Sequence, residues 1–169
     1  MPSTAAIRRP GNGQKSYSAS SASRQRTGGE AIAVLLDTGI LYAYYDRRDS
    51  WHTAFRALIE QEAGGLIVPA PVLPEVDYLL GARLGGEAQT TFYQGLIDGS
   101  FFIADLRPEH YSRVLELNRK YKSLRLGFVD AAVLALAEHL GLGRVATTDR
   151  RHFGAVEISV SLELVPDLP

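Results

Sequence analysis

Hydrophobic positions along this chain come in short clusters, each closed by a polar or turn-forming residue. Ala31-Ile32-Ala33-Val34-Leu35-Leu36 is an apolar run that stops at Asp37. It is too short for a helix and reads as a buried strand. Residues 38–45 and about 51–62 predict helices, and Leu66-Ile67-Val68 predicts a second short strand. The prolines Pro69, Pro71 and Pro74 introduce a helix that runs to about Leu84, because proline is tolerated at a helix start and not inside it. Residues 87–98 read as helix and Phe101-Phe102-Ile103 as strand. Two further helices are predicted over 109–121 and 127–140, followed by a strand at Arg144-Val145-Ala146-Thr147 that ends at Asp149. A partly alternating stretch from Ile158 to Val165 predicts the last strand. Helices alternate with short buried strands and no internal repeat is visible. The expectation is an α/β fold, a short parallel sheet with helices on both faces.

Residues 1–30 break this pattern. They are rich in Ser, Gly, Arg and Gln and nearly free of large apolar side chains. Such a segment buries too little surface to offset ordering entropy, so it reads as a disordered basic tail. Arg8, Arg9, Lys15, Arg24 and Arg26 stand there against Glu30 alone. Three readings remain open: a tail with salt-sensitive affinity for RNA phosphates, an organelle transit peptide, or a start placed upstream of a true beginning near Val34. One folded domain is expected over residues 31–169.

Composition narrows the chemistry. The 169 residues include no cysteine, which removes disulfides, thiolate metal sites and a cysteine nucleophile. No apolar run approaches the roughly 18–20 residues of a membrane span, and a cytoplasmic protein is expected. The net charge is −1, and with a basic tail the rest of the chain carries an acid excess. Nucleic-acid binding would therefore rest on a local site and not on bulk charge. Neither a Walker-type phosphate loop nor a dinucleotide fingerprint is present.

Three acids sit where chemistry is expected. Asp37 and Asp149 each follow a predicted strand, and open α/β sheets bind ligands outside the carboxyl ends of their strands. Asp130 lies in Gly127-Phe128-Val129-Asp130-Ala131-Ala132-Val133-Leu134-Ala135-Leu136-Ala137, with no other charge between Arg125 and Glu138. A helix apolar all round is buried, and a carboxylate in it is costly unless capped, paired or bound to a metal. The helix dipole in its first turn gives an alternative, purely structural reason for an acid there. Glu75 and Asp77 stand near another helix start. Two residues apart, they face different ways, and spacing does not choose between them. Carboxylates about 5 Å apart repel by roughly 3 kcal/mol at an effective dielectric of 20. A divalent cation reverses that sign. Oxygen-only ligands suit Mg²⁺ or Mn²⁺, and such a site activates water for in-line attack on a phosphodiester.

Four segments in order resemble the PIN-domain ribonucleases, in particular the VapC toxins of bacterial toxin–antitoxin pairs. They are Leu36-Asp37-Thr38 with Leu41-Tyr42-Ala43-Tyr44-Tyr45-Asp46, then Val72-Leu73-Pro74-Glu75-Val76-Asp77-Tyr78-Leu79, Leu126-Gly127-Phe128-Val129-Asp130-Ala131-Ala132, and Ala146-Thr147-Thr148-Asp149-Arg150-Arg151-His152-Phe153. The resemblance covers residues 34–154. It implies a PIN fold, Mg²⁺-dependent cleavage of structured RNA (transfer or ribosomal), and a small VapB-like antitoxin that blocks the site. The family commonly pairs as homodimers. Asp37, Glu75, Asp130 and Asp149 align with its acidic metal-holding residues, which favours Glu75 over Asp77. Thr147 aligns with a hydroxyl residue that orients the acids, and Thr38 with a family Thr beside the first Asp. Glu75 is expected to assist the attacking water as base. Where the family often has Ser or Asn, this chain has Gly39.

Arg125, Arg150 and Arg151 are candidates for phosphate contact. Tyr42, Tyr44, Tyr45 and Trp51 read as packing or partner contacts ahead of base stacking. His52, His110, His139 and His152 could suggest a metal-free ribonuclease with a general acid–base pair, but only His152 lies near a strand-end motif, and His139, near a helix end, reads more simply as a dipole-favourable surface residue. Two alternatives stand beside the nuclease: a non-catalytic PIN-like module binding RNA or protein, and an aspartyl phosphohydrolase using Asp37. The second lacks the further Asp two positions on that such enzymes typically use.

Overall fold

The computed structural model describes residues 7–8, 33–61 and 65–167. The character expected for residues 1–30 therefore lies outside the described residues, except at Ile7–Arg8. In chain order the elements are β1 (Ile7–Arg8), β2 (Val34–Leu36), α1 (Thr38–Tyr45), α2 (His52–Gln61), β3 (Leu66–Pro69), α3 (Val72–Arg83) and α4 (Gly86–Asp98). They continue with β4 (Phe102–Ala104), α5 (Pro108–Lys120), α6 (Gly127–Leu140), β5 (Arg144–Ala146), α7 (Arg150–Gly154) and β6 (Glu163–Val165).

The strands form one sheet in the order β1-β4-β3-β2-β5-β6. Five of them, β2 to β6, pair in parallel, as expected of an α/β protein. The departure is β1, which adds an antiparallel edge to β4 with Ile7 opposite Ala104. Val34, Leu35 and Leu36 of the central strand are all fully buried. Successive strand side chains point to opposite faces, so both faces of β2 are covered. The core joins these residues to Phe55, Phe92, Phe153, Leu80, Leu117 and Leu134. Each such side chain contributes about 1.5–3 kcal/mol by leaving water.

The expected last strand over 158–165 is shorter, beginning only at Glu163. Residues upstream of it find other partners. Glu157 N–H donates to the Tyr121 hydroxyl at 2.9 Å, and Ser159 N–H donates to Glu138 Oε1 at 2.8 Å. Glu138 is itself gripped by Arg113 through bonds of 2.6 and 3.0 Å, which tie α5 to α6. Backbone groups satisfied by side chains have no need of a strand neighbour. A short helix not expected from the sequence, α7, follows Asp149.

Chain order explains where a site can form. From β2 the chain steps to β3 and β4 on one side, then returns to lay β5 and β6 on the other. The reversal leaves a crevice at the carboxyl ends of β2 and β5, where open α/β sheets bind ligands.

Close approach at Gly143 gives a check on this packing. A Cβ there would lie 2.2 Å from the Ser161 carbonyl oxygen, a backbone atom, whereas one at Gly86 would meet nothing within 4 Å. In urea denaturation, Gly143→Ala is expected to lose about 1–3 kcal/mol, and Gly86→Ala to be neutral or slightly stabilising. Equal effects of the two would contradict the β5–β6 arrangement.

Candidate metal centre

Asp37 leaves β2 and caps α1, its Oδ1 accepting the Thr38 N–H at 2.7 Å. Its own N–H donates to Ala146 O at 2.9 Å, extending the β2–β5 ladder by one residue. That pairing brings Thr147, buried completely, against Asp37. Thr147 Oγ1 donates to Asp37 Oδ2 at 2.8 Å and accepts the Asp149 N–H at 2.9 Å. Asp149 then caps α7, Oδ1 accepting the His152 N–H at 2.9 Å.

Asp130 arrives from the first turn of α6, whose residues Ala131 to Ala137 are all buried. Its Oδ2 lies 3.0 Å from His152 Nδ1, and Asp149 Oδ2 lies 3.0 Å from the same nitrogen. Glu75, exposed in the first turn of α3, accepts the Thr38 hydroxyl at 2.9 Å through Oε2. Thr38 therefore links α1 to α3 beside Asp37. Asp77 turns elsewhere: its Oδ1 accepts Gln89 Nε2 at 2.8 Å and the Tyr93 hydroxyl, both from α4. Sequence spacing had no means of separating these two acids.

The charges act on one another. Burial pushes the Asp37 carboxyl up to about 6, Asp130 and Asp149 push the same way, and the bonds from Thr147 and Thr38 oppose them. Burial also raises Asp130, with Asp149 and Glu75 adding repulsion and His152 opposing it. A carboxylate held against burial and neighbouring acids is what a cation would relieve. The donor set, carboxylate oxygens with one imidazole nitrogen, is compatible with a divalent metal.

His152 is the member that sequence reasoning missed. The available signal was its spacing of three from Asp149, which puts both on one face of a helical turn. A second group, Glu109, His110 and His139, lies at the other end of α6. There His110 Nδ1 accepts the Arg107 N–H at 2.9 Å, which leaves its ring proton on Nε2 and makes the residue a helix cap.

The remaining candidates differ in their surroundings. Arg125 is exposed and adopts a left-handed backbone with φ 55°, a conformation costly for a residue with a side chain. Arg151 is exposed as well. Arg150 instead lies 5.7 Å from the Trp51 ring centroid and donates to the Pro166 carbonyl. Gly39 has a steric reason: a Cβ there would stand 2.2 Å from Thr148 Oγ1. The Thr148 hydroxyl occupies the space a side chain at 39 would need.

Asp37 gives a pH signature. Its folded pKa, about 6, exceeds the ordinary 3.8. Its contribution is therefore full below about pH 4 and is lost as pH rises through about 6. In chelator, wild-type stability is expected to fall across that window by at most about 3 kcal/mol, and Asp37→Asn to flatten the fall. An identical pH profile for Asp37→Asn in chemical denaturation would show the carboxyl is not perturbed.

Comparison with known proteins follows the same lines. Residues 34–158 match the PIN domain family. Ribonuclease VapC26 of Mycobacterium tuberculosis is 32% identical over 123 residues, covering 73% of this chain and 91% of that protein. Among solved structures, VapC20 of Mycobacterium tuberculosis, described as a sarcin-ricin loop cleaving toxin, superposes with a TM-score of 0.67 at 19% identity, covering 76% of this chain and 98% of that one. VapBC2 from Rickettsia felis, bound to a DNA fragment from its promoter, gives a TM-score of 0.60 at 16% identity, covering 80% of this chain and 100% of that one. The two structures share the fold; the family match over most of the chain and the identity to a nearly full-length relative make this protein a member of the PIN-domain family, of its VapC group.

Proposed function

We propose that this protein is a Mg²⁺- or Mn²⁺-dependent endoribonuclease that hydrolyses RNA phosphodiester bonds as the toxin of a toxin–antitoxin pair. One observation carries the reading: four carboxylates from four separate segments converge at the carboxyl ends of β2 and β5, with Asp37 buried among them. Asp37, Glu75, Asp130 and Asp149 would hold the cation. When bound, the cation supplies Lewis-acid activation of a water and stabilises the leaving oxygen.

The chain's own groups supply positioning. Thr147 keeps Asp37 and the Asp149 backbone in one register through its two hydrogen bonds. Thr38 steadies Glu75, whose exposure suits it to take a proton from the attacking water at Oε. Exposed Arg125 and Arg151 are suited to phosphate contact, as charge-assisted bonds to phosphate are strong. Both oxygens of Asp37 already accept hydrogen bonds, which disfavours its use as the nucleophile of a phosphohydrolase.

Protein partners are part of the same proposal. Tyr111 and Phe128 stack at 6.1 Å between centroids yet stay exposed, with Leu115 one turn along α5. Tyr78 on α3 and Tyr93 and Ile97 on α4 are exposed as well. Exposed apolar groups of this kind support interfaces, here with a VapB-like antitoxin and a second copy of the chain. Among the described residues, no helix is long and apolar enough to cross a membrane.

Cleavage-site mapping on total cellular RNA, with Mg²⁺ and with excess chelator, tests activity, metal need and target together. Discrete transfer- or ribosomal-RNA cuts are expected only with metal. Asp130→Asn is expected to lower cleavage by at least about 100-fold while keeping the wild-type circular dichroism spectrum. Undiminished cleavage by that variant, or cleavage indifferent to chelator, would falsify the metal mechanism.

A further inference from the structure

The family pattern and the acid count both lead to an oxygen-only cage, yet the geometry holds a nitrogen at its centre. His152 Nδ1 lies 3.0 Å from Asp130 Oδ2 and 3.0 Å from Asp149 Oδ2, while the four-acid set itself does not include it. The ring is not a loose surface group. Its side chain is 20% exposed, and its backbone N–H is fixed by Asp149 Oδ1 at 2.9 Å.

Two roles fit a nitrogen between two carboxylates. As a donor, Nδ1 carries a single ring proton, and one proton cannot make two full-strength bonds at once. As a ligand, Nδ1 offers its lone pair and the proton sits on Nε2. The 3.0 Å spacing is that of a hydrogen bond and fits the second role as well, while the paired contact to two carboxylates favours the second. Ligands about 2.1 Å from a six-coordinate cation stand about 3.0 Å apart when adjacent, which is the separation of Nδ1 from each carboxylate oxygen. The three candidate donor atoms lie within 4.8 Å of one another. Imidazole is a borderline ligand that suits the later first-row ions, Fe²⁺ to Zn²⁺, whereas Mg²⁺ and Mn²⁺ prefer oxygen and Mg²⁺ retains water.

We infer that His152 is a ligand of the same metal centre through Nδ1, and that it biases the centre toward a first-row transition cation over Mg²⁺. This rests on the metal-centre reading above. It adds a selectivity determinant from α7, whose His152 meets both the helix's own cap, Asp149, and Asp130 of α6. An imidazole brings affinity for a transition ion without adding a fifth negative charge to a cluster already short of counter-charge.

The probes are Co²⁺ and Mg²⁺, titrated calorimetrically into chelator-stripped full-length protein, with Mn²⁺ as the spectroscopic probe. His152→Asn is informative because its side-chain amide places a donor near the Nδ1 position but supplies no imidazole. Co²⁺ affinity is expected to fall by about 10-fold or more and Mg²⁺ affinity by less than about 3-fold. Pulsed electron paramagnetic resonance of the Mn²⁺-loaded wild type is expected to show ¹⁴N modulation from a coordinated imidazole, absent in the variant. Wild type without that modulation, or equal proportional losses for the two cations, would reduce His152 to a positioning residue and overturn the inference while leaving the metal centre standing. Wild type that binds neither cation would overturn both. If His152→Asn does not reach the wild-type melting transition, His152→Gln takes its place in the same comparison.

Discussion

The short bond from Thr147 Oγ1 to Asp37 Oδ2 joins residues 110 positions apart, and the centre is assembled around it. It exists because β2 and β5 pair in parallel with Leu36 opposite Ala146, so that the next residue of each strand meets its counterpart. Thr147 is fully buried and Asp37 nearly so. A hydroxyl in that position must use both its donor and its acceptor, since an unpaired buried polar group costs about 1–3 kcal/mol. It does so by giving its proton to Asp37 and taking the Asp149 N–H. One side chain thereby sets the position of two acids and the start of α7.

Around this bond, the fold works against its own electrostatics. Asp37 and Asp130 are both held above their ordinary pKa, burial being the largest cause in each case. The surrounding apolar structure tolerates this. β2 is buried on both faces and α6 is apolar along its buried length, so rigid elements carry the acids and no flexible loop is needed to hold them. Preorganised charge of this kind is costly without a counter-ion and useful with one. The same logic explains why His152, on a five-residue helix capped by Asp149, is aimed inward.

The periphery divides by what each side chain finds to touch. Arg150 meets the Trp51 ring and the Pro166 carbonyl and so helps fasten the chain after β6. Arg125 and Arg151 face solvent, and Arg125 does so from a left-handed backbone. The exposed aromatic residues of α5, α6, α3 and α4 leave apolar surface uncovered by the described residues.

Local information was enough for much of this. Strand and helix positions were legible because apolar residues recur with the period of their element, and that period depends only on near neighbours. Asp37 and Asp149 at strand ends, and Asp130 alone in an apolar helix, stood out for the same reason. The last strand was over-read, because Tyr121 and Glu138, from α5–α6, satisfy the backbone around 157–159 and nothing nearby in sequence records that. The antiparallel β1 was likewise invisible, since its partner β4 lies almost a hundred residues away. Between Glu75 and Asp77 the residues themselves were silent and only the family resemblance chose. The three-dimensional contacts separate them, by Thr38 on one and by Gln89 and Tyr93 on the other. The sequence by itself determined which acids stand at element ends and that their helices and strands are buried. Only the tertiary structure decided which of them meet, and that a histidine joins them, because those distances depend on strand order and register, which no local pattern encodes.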